Sequence, residues 1–142
     1  MDEEKLNRLP PDVKKQFVKL ALKLSEKKTK TKVNDDFLTF VKHVWPEFIE
    51  GKHHKEIAEK FNQIARGEIK RLIINMPPRH TKSEFASFLL PSWMVGRKPD
   101  LKIIQTTHTT ELAIRFGRKA KTLMDSQEYK QVFKTRLRED SQ

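Results

Sequence analysis

Apolar residues recur along this chain in two rhythms, one near helical spacing and one nearly continuous. From Pro10 to about Lys28, Val13, Phe17, Leu20 and Leu24 follow one another at spacings of four, three and four, with Lys14, Lys15, Lys19 and Lys23 elsewhere on the wheel. That spacing predicts an amphipathic helix, and Pro10-Pro11-Asp12 suits its first turn. The stretch Lys27-Lys28-Thr29-Lys30-Thr31-Lys32 has no apolar residue to bury and reads as a solvated connector. The chain is thereby divided into a helix and basic linker over 1–33 and a second region over 34–142. Asn34 or Asp35 can cap a second helix, whose stripe is Phe37, Phe40, Val41 and Val44 and which ends at Trp45-Pro46. A third helix is predicted from about His53 to Arg66 on the stripe Ile57, Ala58, Phe61, Ile64 and Ala65, with Gly67 as its left-handed stop.

Beyond Gly67 the rhythm changes. Arg71-Leu72-Ile73-Ile74-Asn75 is a short apolar run between charge and Pro77-Pro78, the pattern of a parallel strand covered on both faces. Residues from about Lys82 to Met94 read as helix, with Phe85, Phe88, Leu89 and Trp93 apolar and Pro91 bending the last turns. Leu101-Lys102-Ile103-Ile104-Gln105-Thr106-Thr107 is a second strand candidate. Thr109 can cap a helix carrying Leu112, Ala113, Phe116, Ala120 and Leu123, and Tyr129 to Gln142 has no firm pattern. Helices followed by β-α-β-α predict an α/β fold with a parallel sheet and right-handed crossovers, preceded by an all-helical amino-terminal segment.

Composition narrows the partners. The 142 residues carry 30 Lys and Arg against 19 Asp and Glu, a formal charge of +11 that favours polyanions such as nucleic acid or nucleotide phosphates. Cysteine is absent, which excludes disulfides, thiolate metal sites and Cys nucleophiles. No apolar run approaches the roughly 18–20 residues that cross a bilayer, and the acidic start Met1-Asp2-Glu3-Glu4 is unlike a secretory signal, so an intracellular protein without membrane contact is expected. The histidines His43, His53, His54, His80 and His108 have no spacing that points to a metal.

The chemistry concentrates in Met76-Pro77-Pro78-Arg79-His80-Thr81-Lys82-Ser83, between the first predicted strand and the next helix. An α/β sheet binds phosphate at that place, where free backbone N–H groups and the helix dipole converge. Against the standard phosphate loop G-x-x-x-x-G-K-[ST], Lys82-Ser83 is intact while Met76 and Thr81 stand at the two glycine positions. The retained pair is the chemically specific part. An ammonium can reach the β and γ phosphates, and the next hydroxyl can ligate Mg²⁺. Arg79 adds a second cation, able to bind a γ-phosphate or act as an arginine finger in cis, or else simply a surface base.

The run Leu72 to Glu84 followed by Ala86-Ser87-Phe88-Leu89-Leu90-Pro91-Ser92-Trp93 resembles the ATPase domain of phage terminase large subunits, the motors of tailed-phage genome packaging. That family carries a deviant Walker A of the form P-P-R-H-[GT]-K-[ST], which Pro77 to Ser83 match. Trp45-Pro46 and Gly51-Lys52-His53-His54 resemble the segment that precedes Walker A, and Gln105 to Ala113 resembles the next strand-loop-helix. The similarity spans about residues 34 to 124 and implies part of a RecA/ASCE-like P-loop NTPase. It implies ATP and Mg²⁺ as cofactors, Lys82 and Arg79 as catalytic cations, and Ser83 as the Mg²⁺ ligand. Pro78, Arg79, His80, Thr81, Lys82 and Ser83 would surround the phosphates, with His54 where many relatives place an adenine-contacting Gln and Trp45 or Phe48 as stacking groups. The implied partners are double-stranded DNA, a homo-oligomeric ring, the portal and the small terminase subunit, and the implied location is the host cytoplasm.

ATP hydrolysis also needs carboxylates for Mg²⁺ and for the attacking water. No apolar run ending in Asp-Asp or Asp-Glu follows Lys82; Glu139-Asp140 instead follows Arg136-Leu137-Arg138. The expectation is therefore an amino-terminal portion of a terminase large subunit, without Walker B or nuclease domain and inactive in hydrolysis by itself. Two other readings stand beside it: a non-enzymatic basic module that binds DNA or a packaging partner, and another P-loop NTPase such as a helicase.

Overall fold

A computed structural model describes residues 10–135; Met1-Asp2-Glu3-Glu4, Leu137 and Glu139-Asp140 lie outside the described residues. The chain divides into two units between Thr31 and Lys32. Helix α1 (Pro11–Asp35) runs through that division. Among the described residues of the first unit its apolar stripe is not buried: Val13, Phe17, Leu20 and Leu24 remain 39–56% exposed. Residues 27–32, expected as a connector, are helical. Lysine is a good helix former and each of the two threonines costs less than about 1 kcal/mol, so continuing the helix costs little even where nothing is buried.

The second unit begins with the last turn of α1 and folds around α2 (Phe37–Val44) and α3 (Lys52–Arg66). Asp36, rather than Asn34 or Asp35, caps α2, accepting from Thr39 N at 2.7 Å and Thr39 Oγ1 at 2.6 Å. Asn62 of α3 ties the same corner, donating to Asp36 Oδ1 at 2.8 Å and accepting from Phe37 N at 2.9 Å. Gly67 ends α3 at φ 81°, in the left-handed region open to glycine.

From residue 82 to 97 the chain is continuously helical: α4 (Lys82–Glu84), a π-helical turn (Phe85–Leu89) and α5 (Leu90–Arg97). The π turn lies just ahead of Pro91, which lacks a donor and crowds the carbonyl four residues back. Leu90 N–H accordingly donates to Phe85 O, five residues earlier. Helices α6 (Thr110–Asp125) and α7 (Gln127–Val132) complete the order, α6 capped by Thr109 and α7 by Ser126.

The core is largely aromatic. Phe37 packs edge-on to Phe61, Phe85 and Trp93 with ring centroids 5.1, 5.4 and 5.5 Å apart, a geometry worth about 0.5–1.5 kcal/mol per pair beyond area burial. Trp93 is fully buried and donates its indole N–H to Val33 O at 3.0 Å. Tyr129 and Phe133, in a stretch with no firm sequence pattern, close the other side. Tyr129 is fully buried, its hydroxyl donates to Ser92 O at 2.8 Å, and burial raises its pKa.

The expected α/β fold is not formed. Among the described residues there is no strand, so the parallel sheet of a RecA/ASCE-like P-loop domain is absent and the architecture is all-helical. The reason lies in the two apolar runs. The first lies along α3, beside His53, Ile57 and Lys60, and the second along the π turn and α5, beside Ala86, Leu90 and Met94. No backbone hydrogen bond joins them among the described residues. A helix closes its own backbone bonds, whereas a strand needs a neighbour about 4.8 Å away. The first run still keeps a period of two: Leu72, Ile74 and Met76 are half-buried against the core while Arg71, Ile73 and Asn75 are exposed. One face is covered, not both.

Candidate functional site

The chain enters the site from the 72–76 run, turns at Pro77-Pro78 and leaves along α4. Two non-glycine residues in that turn have left-handed backbones, Arg79 at φ 65° and Thr81 at φ 56°, and they are the only two among the described residues. A left-handed L-residue costs roughly 1–2 kcal/mol, and such residues persist where their surroundings hold them. Thr81 occupies the second glycine position of the standard phosphate loop, so the backbone there keeps a glycine-like conformation without the glycine.

His54 supplies the hold. It is buried at 7% exposure on the first turn of α3, against Phe48 and Phe85 with ring centroids 4.8 and 5.1 Å away. Gly51 N–H donates to His54 Nδ1 at 2.9 Å, which leaves the ring proton on Nε2. Nε2–H then donates to Thr81 Oγ1 at 2.5 Å, with His53 Nε2 a second neighbour at 3.0 Å. Gly51 gives these rings room, since a Cβ there would stand 2.9 Å from His53 Cε1. Burial, then the adjacent His53, lowers the His54 pKa; Glu50 opposes the shift and His80 adds to it.

The remaining cations surround the turn. Lys82 is partly buried and donates from Nζ to Met76 O at 3.3 Å, so its stem folds back over the loop. Arg79, His80 and Ser83 are exposed, and His80 Nδ1 lies 2.9 Å from Pro78 O. The first backbone N–H groups of the helix starting at Lys82 have no carbonyl within it, as at any helix start. Two cations, a hydroxyl and free amides form a donor set suited to phosphate and to a hydrated Mg²⁺. Glu84, next to Ser83, is occupied by Lys119 Nζ at 2.8 and 2.9 Å. No cluster of three His, Asp or Glu side chains able to hold a metal occurs among the described residues, although the rings of His53 and His80 are 5.6 Å apart.

The sequence-derived residues Pro78 to Ser83 therefore lie together on one turn, and His54 touches it. His54 was expected near adenine; both its ring nitrogens are engaged within the chain, on Gly51 and Thr81. Trp45 and Phe48, considered for stacking, pack partly buried against the core with ring centroids 5.5 Å apart. The contact from His54 to Thr81 spans 27 positions and had no signal in the sequence. No helix among the described residues is long and apolar enough to cross a membrane. Comparison of the chain with protein-family profiles, curated proteins and solved structures gives no match.

Proposed function

We propose that the turn Pro78–Ser83 binds the polyphosphate of a nucleoside triphosphate with Mg²⁺, as the ATP-binding part of a DNA-packaging motor of the terminase large-subunit type. The observation that carries this reading is the left-handed Thr81 placed directly before Lys82-Ser83 at a helix start. In it Lys82 and Arg79 meet the phosphates, Ser83 offers its hydroxyl to Mg²⁺, and the amides of His80 to Ser83 line the turn. Double-stranded DNA, a homo-oligomeric ring, portal and small terminase subunit enter through the same family resemblance. With no strand among the described residues, this reading rests on the turn itself.

Calorimetric titration with Mg·ATP tests it. Replacing Lys82 with Ala is expected to weaken binding roughly 10- to 100-fold, the range of one charge-assisted hydrogen bond. Ser83→Ala should reduce the Mg²⁺ dependence with a smaller loss. Unchanged affinity in Lys82→Ala would refute the proposal. Because Glu84 is held by Lys119, no carboxylate beside Ser83 stands free to direct water, and binding without turnover is expected of the purified chain.

A second reading has its own observation. Lys15, Lys19, Lys23, Lys27 and Lys30 are all exposed along α1, which suits a polyanion such as DNA. Salt-steep DNA binding that survives Lys82→Ala and Arg79→Ala, and weakens when these lysines become Gln, favours that use of the helix.

A further inference from the structure

We propose that His54 is a proton-sensitive positioning residue that latches the phosphate turn through Thr81, so that polyphosphate binds when the ring is neutral and the turn is released when it is protonated. The inference rests on the nucleotide-binding reading for its ligand, but the latch can be observed without one.

The chemistry follows from the two ring nitrogens. Neutral His54 accepts from Gly51 N–H on Nδ1 and donates from Nε2 to Thr81, thereby joining the start of α3 to the turn. A second proton can enter only at Nδ1. There it faces another N–H donor, and the bond to Gly51 is lost. The new charge also sits at the first turn of α3, where the helix dipole is positive, and between the rings of Phe48 and Phe85. The titratable groups acting on the ring are His53 on the same helix, Glu50 just before it and His80 from the turn. Glu50 is already paired with Lys42 and Lys55, so it is poorly placed to neutralise an imidazolium. The ring leaves its pocket when charged. Thr81 then loses the side-chain partner that holds its left-handed backbone, and the amides beside Lys82 lose their common direction.

Two proton-resonance experiments on the full chain separate the latch from the ligand. Between pH 7.5 and 5, the amide signals of residues 79–82 are expected to move with the midpoint of the His54 ring, in the absence of nucleotide. Mg·ATP affinity is expected to fall along the same curve, by at most about tenfold per pH unit for one linked proton. His54→Gln should abolish both responses. Thr81→Gly provides the variant least exposed to misfolding, because glycine takes the left-handed backbone without a latch. Whatever its affinity for Mg·ATP at pH 7.5, it should lose the part of the pH dependence that follows His54. Replacing His53 or His80 with Gln should leave the turn following His54.

The latch is overturned if the signals of residues 79–82 stay fixed while the His54 ring titrates, or if His54→Gln leaves their titration unchanged. It is also overturned if Thr81→Gly shows the same His54-dependent loss of affinity as the parent. Should the turn follow His54 while Mg·ATP binds at no pH, the latch stands and the nucleotide reading fails. Should Mg·ATP bind equally across the range with a stationary turn, the nucleotide reading stands and the latch fails.

Discussion

The two apolar runs, 71–75 and 101–107, look alike in composition and meet different fates. In the first, Leu72, Ile74 and Met76 are half-buried against the core while Ile73 is 85% exposed. In the second, Ile103 and Ile104 are 40% and 91% exposed, and only Leu101 and Thr107 are half-buried. The first run is laid along α3, a helix with a strongly apolar stripe, and it delivers the chain into the turn at Pro77-Pro78. The second passes α5 near Pro91 and makes little use of it. Apolar content thus does not determine burial; the surface presented to the run does. The site stands beside the run that found such a surface.

If the helical core is what the first run leans on, damage to that core should exceed any damage to either run. Trp93→Ala removes a fully buried indole, its contact with Phe37 and its bond to Val33 O. A loss of about 3–5 kcal/mol in denaturant unfolding is expected. A loss similar to that of a surface substitution would mean the core is organised elsewhere.

The corner between α1 and α2 comes next in size. Burial raises the pKa of Asp36, but the hydrogen bonds from Thr39 and Asn62 outweigh it, with a contribution from Lys42, and hold the carboxyl below its usual value. The stability it contributes is therefore fully present above the ordinary carboxylate value near pH 4 and is lost as pH falls through the lower folded value. Asp36→Ala is expected to cost about 1–2 kcal/mol at neutral pH by removing the cap of α2. Asp36→Asn should retain much of that stability and flatten its acid dependence, which acid titration of the unfolding midpoint measures.

These helices were legible because their information is local. The stripe Phe37, Phe40, Val41, the spacing through Ile57, Ala58 and Phe61, and the stop at Gly67 can each be read within a few turns, and each is found in the structure. The sheet was misread because strand pairing is a long-range property: an apolar run declares that it can pair, not that a neighbour is present. Tyr129 and Phe133 lie in a stretch that predicts no element, because one aromatic on a short helix and another just past its end make no pattern, yet both are buried in the core. At the site, the order Pro78 to Ser83 could be read directly. The left-handed Thr81 could not, since threonine argues against that backbone, and its support comes from a histidine on another helix.

The smallest effects test the comparison most directly. Ile74 and Ile104 have the same side chain, each in an apolar run without a paired strand, so the same substitution can be made in both. Ile74→Ala removes methyl groups that pack against the core and should cost about 1–2 kcal/mol, below the range for a fully buried isoleucine because the residue is only half-buried. Ile104→Ala removes atoms that already face solvent at 91% exposure and should change stability by less than about 0.5 kcal/mol. Ile74 also lies two residues before Met76, whose carbonyl receives Lys82 Nζ, so its loss should loosen the turn as well as the core. Equal costs in chemical denaturation would show that both runs are buried alike and would remove the asymmetry. Unequal costs, with Mg·ATP affinity weakened only by Ile74→Ala, would tie the packed run to the turn it delivers.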